Sequence, residues 1–242
     1  MNDYRYFEKN KKIFRCRCEV DPDPQSPIGE DYMLSTILLW WGRYGLGNEN
    51  EYESPGDFLV SIAGLFPDED IKTFGKKYGK AFEDADDILD ALTNAQLIEL
   101  IREHDYEIHP VYVYEHGGIT ISMGEFGTAP GYPFSDRFDA GMGGFVFVTK
   151  SDFCSKTGWG EDEWREKARI FLREEVETYD MFLRGQVYGL VVEESDSRGE
   201  WSEKESCWGY FSKKWGDALV EEIASDFIGQ TYPTAEEAAT AA

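Results

Sequence analysis

The chain has 242 residues, 41% hydrophobic and 15% aromatic, enough apolar material to bury a core and to exclude a wholly disordered protein. Its 48 acidic residues against 24 basic ones leave a formal charge of −24, well beyond the ~2 to 8 that suits solubility of a small domain. Charge of that sign repels nucleic acid and anionic lipid, so it points to a basic protein or cations as partners and excludes direct nucleic-acid binding.

No apolar run approaches the ~18 residues of a membrane span, and Met1-Asn2-Asp3-Tyr4-Arg5 lacks the apolar core of a signal peptide. A cytoplasmic protein without membrane contact is expected. Cys16, Cys18, Cys154 and Cys207 are too scattered for a disulfide framework, and Cys16-x-Cys18 lacks the spacing and second ligand pair of a zinc knuckle.

In chain order, residues 1–20 carry six bases and three acids, whereas residues 21–70 carry one and eleven. Asp21-Pro22-Asp23-Pro24-Gln25-Ser26-Pro27 is a turn-rich entry, because each proline biases its predecessor away from the helical region. Residues 33–44 form an apolar helix candidate ended by Gly42 or Gly45. Ser54-Pro55 reads as an N-cap with proline at the first helical position, opening a helix through Phe58, Leu59, Ile62 and Leu65. Lys72, Lys76, Lys77 and Lys80 restore some positive charge. A long helix is predicted over 84–104, with Ile88, Leu92, Leu97, Leu100 and Ile101 on one face and acids crowding its first turns, where they complement the macrodipole.

The hydrophobic period then changes from 3.6 to 2. Residues 108–115 and 119–122 flank His116-Gly117-Gly118, a hairpin signal, and 145–148 make a third strand after a glycine-rich loop through Gly141, Gly143 and Gly144. A helix over 161–183 stops at Arg184-Gly185. Residues 186–194 and 206–211 read as a hairpin pair, followed by a helix over 215–228 and a frayed tail over 234–242. The expected fold is α+β: a mainly helical N-terminal half, then an antiparallel sheet of about five strands with packed helices. The regions are an acidic helical stretch over 1–106 and a sheet with helices over 107–233, joined as one compact unit.

Catalytic machinery finds little support. His104 ends a helix, His109 opens a strand and His116 sits in a turn, so no metal site follows from them. The Gly141 run precedes a strand and lacks the helix N-terminus that binds phosphate. Cys207 reads as a buried strand cysteine. No catalytic residue, metal or cofactor is predicted, and the protein is not expected to be an enzyme.

The acids remain. Duplex DNA presents one negative charge per ~1.7 Å of axis, and carboxylates three or four residues apart on a helix recur every ~4.5 to 6 Å. Glu83, Asp84 and Asp87, or Glu174, Glu177 and Asp180, have that spacing. The candidate partner-binding set is Glu49, Glu51, Glu53, Asp57, Asp84, Asp86, Asp87, Asp90, Glu174, Glu177 and Asp180, although any one helix of this kind also reads as a solvated face. The alternative is a small-molecule or peptide cleft between the sheet and the loop over 124–143, lined by Tyr112, Tyr114, Phe126 and Tyr132.

Three segments carry a resemblance: Asp21-Pro22-Asp23-Pro24-Gln25-Ser26-Pro27, Arg43-Tyr44-Gly45-Leu46-Gly47 and His109-Pro110-Val111-Tyr112-Val113-Tyr114-Glu115-His116-Gly117-Gly118-Ile119-Thr120-Ile121-Ser122. Glu175-Val176-Glu177-Thr178-Tyr179-Asp180, Gly185-Gln186-Val187-Tyr188-Gly189 and Ser206-Cys207-Trp208-Gly209-Tyr210 extend it. Over these segments the chain resembles a family of small phage and plasmid proteins, departing at Ile28-Gly29-Glu30-Asp31-Tyr32 and over 124–143. The resemblance implies a mobile-element origin and brings no catalytic residue with it. Residues 179–189 also look like a segment of plasmid antirestriction proteins, which imitate DNA. Together these imply an inhibitor of a host nuclease or other DNA-binding protein with a basic surface.

Overall fold

The computed structural model describes residues 4–29, 33–42, 44–126, 132–136 and 138–241. Among them are eight strands and eight helices, and the chain divides into two compact units. One unit joins the two ends of the chain, Met1–Ser26 and Met181–Ala242; the other is the middle, Pro27–Asp180.

The end-to-end unit is built on a four-stranded antiparallel sheet in the order β1-β2-β7-β8. Strands β1 (Arg5–Lys9) and β2 (Lys12–Val20) form a hairpin whose two turn residues, Asn10 and Lys11, both take positive φ (56° and 64°), the pattern that matches strand twist. Phe7 and Phe14 face each other across it and stack at 5.1 Å. Strands β7 (Val187–Ser195) and β8 (Trp201–Phe211) complete the sheet, with β8 on its edge. Helix α7 (Asp217–Phe227) lays Leu219, Val220, Ile223 and Ala224 on Phe7, Cys16, Tyr188 and Leu190. Helix α8 (Ala235–Ala241) packs on β1 and β2, with Ala238 buried and the Thr234 hydroxyl accepting from the Glu237 amide. The expected frayed tail is therefore a docked, capped helix.

The middle unit carries the sheet β3-β6-β4-β5, from β3 (Thr36–Leu39), β4 (Tyr106–Glu115), β5 (Ile119–Met123) and β6 (Ala140–Thr149). Helices α1 (Pro55–Ala63), α2 (Asp68–Lys77), α3 (Ala85–Ala91) and α4 (Asn94–Glu103) contribute a core in which Phe58 meets Trp40, Tyr52, Phe145 and Phe147. Helices α5 (Lys150–Thr157) and α6 (Trp164–Leu183) follow β6; the last three residues of α6 belong to the other unit.

Several expectations need correction. The protein is mixed, but its strands form two sheets of four, and helices are interspersed along the chain instead of filling the N-terminal half. The run over 33–44 contains strand β3, because Thr36 and the three apolar residues after it are claimed by β6 in an antiparallel ladder; a short apolar run does not reveal its period. The helix expected over 84–104 is two helices. Thr93 and Gln96 form a capping box that starts α4, and Leu92 is extended. The glycine-rich stretch before residue 145 lies inside β6. Gly144 lets β3 come close: a Cβ there would sit 1.9 Å from the Leu38 carbonyl oxygen. The Ser54 cap on α1, the hairpin at 116–118 and the positive φ of Gly185 after α6 all agree with the sequence. Glu30, Asp31, Tyr32, Arg43 and residues 127–131 lie outside the described residues.

Candidate partner-binding face

Eight of the candidate carboxylates gather on the first part of the middle unit. Glu49, Glu51 and Glu53 lie in the approach to α1, and Asp57 sits in its first turn. Local hydrogen bonds fix the bend: Ser54 Oγ accepts from the Asp57 amide at 3.0 Å, and Asp57 Oδ2 accepts from the Glu53 amide at 3.0 Å. Asp84 caps α3 by accepting from the Asp86 amide at 3.0 Å, and Asp86, Asp87 and Asp90 follow on that helix. Helix α3 packs against both α1 and α2, and α2 opens with three further acids, Asp68, Glu69 and Asp70.

All eight carboxylates are exposed, and among the described residues none has a cation partner. Several cations of the described residues are engaged with other acids. Lys77 Nζ lies 2.6 Å from Glu99 and 3.4 Å from Glu103; Arg15 and Arg17 hold Glu193 at 2.7 and 2.8 Å; Lys12 and Lys204 share Glu194. Those pairs hold the carboxyls of Glu99, Glu193 and Glu194 below the usual carboxylate range, chiefly through hydrogen bonds from Lys77, Arg15 and Lys12.

The α6 members of the set divide. Glu174 and Glu177 are exposed, but Asp180 is 6% exposed and its Oδ1 accepts from the Ile121 amide at 2.8 Å. It secures β5 and offers no surface charge. Glu175, one residue past Glu174, does similar work by accepting from the Leu34 and Ser35 amides at 2.7 and 2.9 Å. Position on a helix, invisible in a count of acids, separates the two roles.

A charged cluster at the junction of α4, β4 and α6 was not anticipated. Glu107 is 1% exposed and receives Arg102 (3.1 Å), Arg165 (3.2 Å) and His109 Nε2 (2.7 Å). Burial pushes its carboxyl up, but the His109 hydrogen bond and the two guanidinium groups outweigh that and hold it below the ordinary value. His109 Nδ1 is buried with no hydrogen-bond partner among the described residues and lies 3.9 Å from Glu125 Oε2. Glu125 in turn engages Arg169 and Arg173. Glu107 and His109 are both buried, and their contacts tie β4 to α4 and α6. The signal for it, a Glu-x-His pair on one strand face with basic residues five before and 58 after Glu107, is too diffuse to read from the chain.

The remaining candidates are dispersed. His104 caps α4 and stacks on Phe66 at 4.0 Å, and His116 meets Asp139 at 3.0 Å. Among the described residues, no three His, Cys, Asp or Glu side chains are placed to hold a metal ion. Cys207 is exposed, contrary to the expectation of burial, because its strand is the sheet edge. Of the aromatics expected to line a cleft, Tyr112 is buried against Tyr132 (6.2 Å), Tyr114 stacks on Phe134 (5.4 Å), and Phe126 stacks on His109 (6.0 Å) and lines a cavity of about 540 Å3 with Arg102 and Arg165. No helix among the described residues is long and apolar enough to cross a membrane.

Comparison with known proteins finds no matching family model, curated protein or solved structure.

Proposed function

We propose that the protein is an acidic accessory protein of a phage or plasmid that occupies the DNA-binding surface of a host defence nuclease or other DNA-binding protein, and so acts by DNA mimicry without catalysis. One observation supports this above the others: eight exposed carboxylates, on segments of one unit that pack together, have no cation partner among the described residues while other acids are paired. Asp57 and Asp84 serve as local hydrogen-bond acceptors, but the accumulated charge opposes folding, since like charges three or four residues apart on a helix destabilise it by ~0.2 to 0.5 kcal/mol a pair. A binding surface for a basic partner gives the cost a purpose.

The test is competition with duplex DNA for a purified type I restriction enzyme, with binding of the protein followed between 50 and 200 mM salt. A mimic that replaces six to ten phosphate contacts should lose about 10³- to 10⁵-fold in affinity over that interval. The variant D84N/D86N/D87N/D90N keeps the α3 cap, because asparagine caps as well as aspartate, and should bind at least tenfold more weakly. Binding that neither salt nor this variant alters would overturn the reading.

A further inference from the structure

Beside α7, a cavity of about 750 Å3 opens between the β1–β2 hairpin, strands β7 and β8, and the C-terminal end of that helix. That volume lies within the ~300 to 1,000 Å3 of sites for small organic ligands. Its floor is apolar: Phe7 and Phe14 stacked on one side, Leu190 and Val192 beneath, Phe227 and Ile228 on the other. Phe227 stays 58% exposed at its edge although the core of the same helix is sealed, a cost that a bound apolar group would remove.

The mouth carries an uncommitted cation. Lys9, Lys12 and Lys204 line it with Glu8 and Glu205, but Lys12 and Lys204 are both paired with Glu194, and Glu8 accepts from the Lys11 amide in the hairpin turn; Lys9 has no acid partner among the described residues. We infer that this groove is a binding site for a small amphiphile with an apolar body and a single anionic head group, of the fatty-acid kind, its chain on the phenylalanine and valine floor and its head at Lys9. The site lies in the end-to-end unit and does not depend on the acidic face of the middle unit.

The groove contains its own reporter. Cys207 lines it and is exposed. Burial pushes the Cys16 thiol up to about 11 and the Cys18 thiol up to about 12, which makes both poor nucleophiles. With Cys154→Ser removing the other accessible thiol, alkylation by iodoacetamide at pH 8, read by mass spectrometry of the Cys207 peptide, measures access to the site. Dodecanoate below its micellar concentration should slow Cys207 alkylation at least tenfold, and dodecan-1-ol clearly less. Lys9→Glu should weaken protection by the acid and leave that by the alcohol unchanged. Val192→Glu, at a half-buried position, should abolish both while circular dichroism stays native. Unchanged alkylation in the presence of dodecanoate overturns the site. Equal protection by acid and alcohol overturns the anionic head group, and protection that survives Val192→Glu shows non-specific adsorption and overturns the assignment.

Discussion

Replacing Glu107 by glutamine isolates the buried charge that joins α4, β4 and α6. Glutamine keeps the volume and one acceptor oxygen, so the change removes charge and leaves packing. Breaking a fully buried ion pair costs about 3 to 5 kcal/mol, but the Arg102 and Arg165 side chains are 38% and 41% exposed and regain water when released. Solvent screening therefore reduces the expected loss to about 2 kcal/mol. The pH dependence has a definite sign. Because the Glu107 carboxyl lies below its ordinary value in the folded chain, its contribution is fully present above the unfolded value of ~4.3 and is lost as pH falls through the lower folded value. Hydrogen exchange of peptides from β4 and β6, with those from β7 and β8 as internal reference, is the assay, since the two units need not unfold together. About 2 kcal/mol corresponds to roughly thirtyfold faster exchange at pH 7, and the gap between wild type and variant should close towards pH 3. Exchange within threefold of wild type at pH 7, or a gap that does not narrow in acid, would refute the argument.

Other expectations follow from the same structure. Asp180→Ala should destabilise the middle unit by about 1 to 3 kcal/mol through the orphaned Ile121 amide, whereas Glu174→Ala, on the exposed side of α6, should fall within ~0.5 kcal/mol in urea titrations. Equal effects would mean that Asp180 is not an internal anchor. Gly144→Ala should disrupt the β3–β6 ladder and lower the melting temperature by several degrees, while Gly118→Ala, in the open hairpin turn, should leave it nearly unchanged. Added salt should raise the stability of the wild-type protein and raise it less in D84N/D86N/D87N/D90N, because there is less self-repulsion to screen; a larger gain in the variant would contradict the account of the unpaired acids.

Much of this protein was fixed by short-range chemistry that a reader of the chain can see. Ser54-Pro55 starts a helix because a hydroxyl and a preset φ satisfy its first turn; His116-Gly117-Gly118 closes a hairpin because glycine accepts positive φ; Gly185 ends α6 for the same reason. The concentration of acid over 49–57 and 84–90 was equally legible, and those side chains do stand exposed. Partnership over long distances was decided by tertiary structure alone. Residues 36–39 are a strand because β6 offers its ladder, the two chain ends form one unit because β2 pairs with β7, and Glu107 is buried because two arginines and a histidine converge on it. Asp180 and Glu174 are the same kind of residue on one helix, yet one holds a strand and the other faces water. A local pattern specifies the turn of the backbone, whereas the role of a charge depends on what the rest of the fold brings within about 3 Å of it.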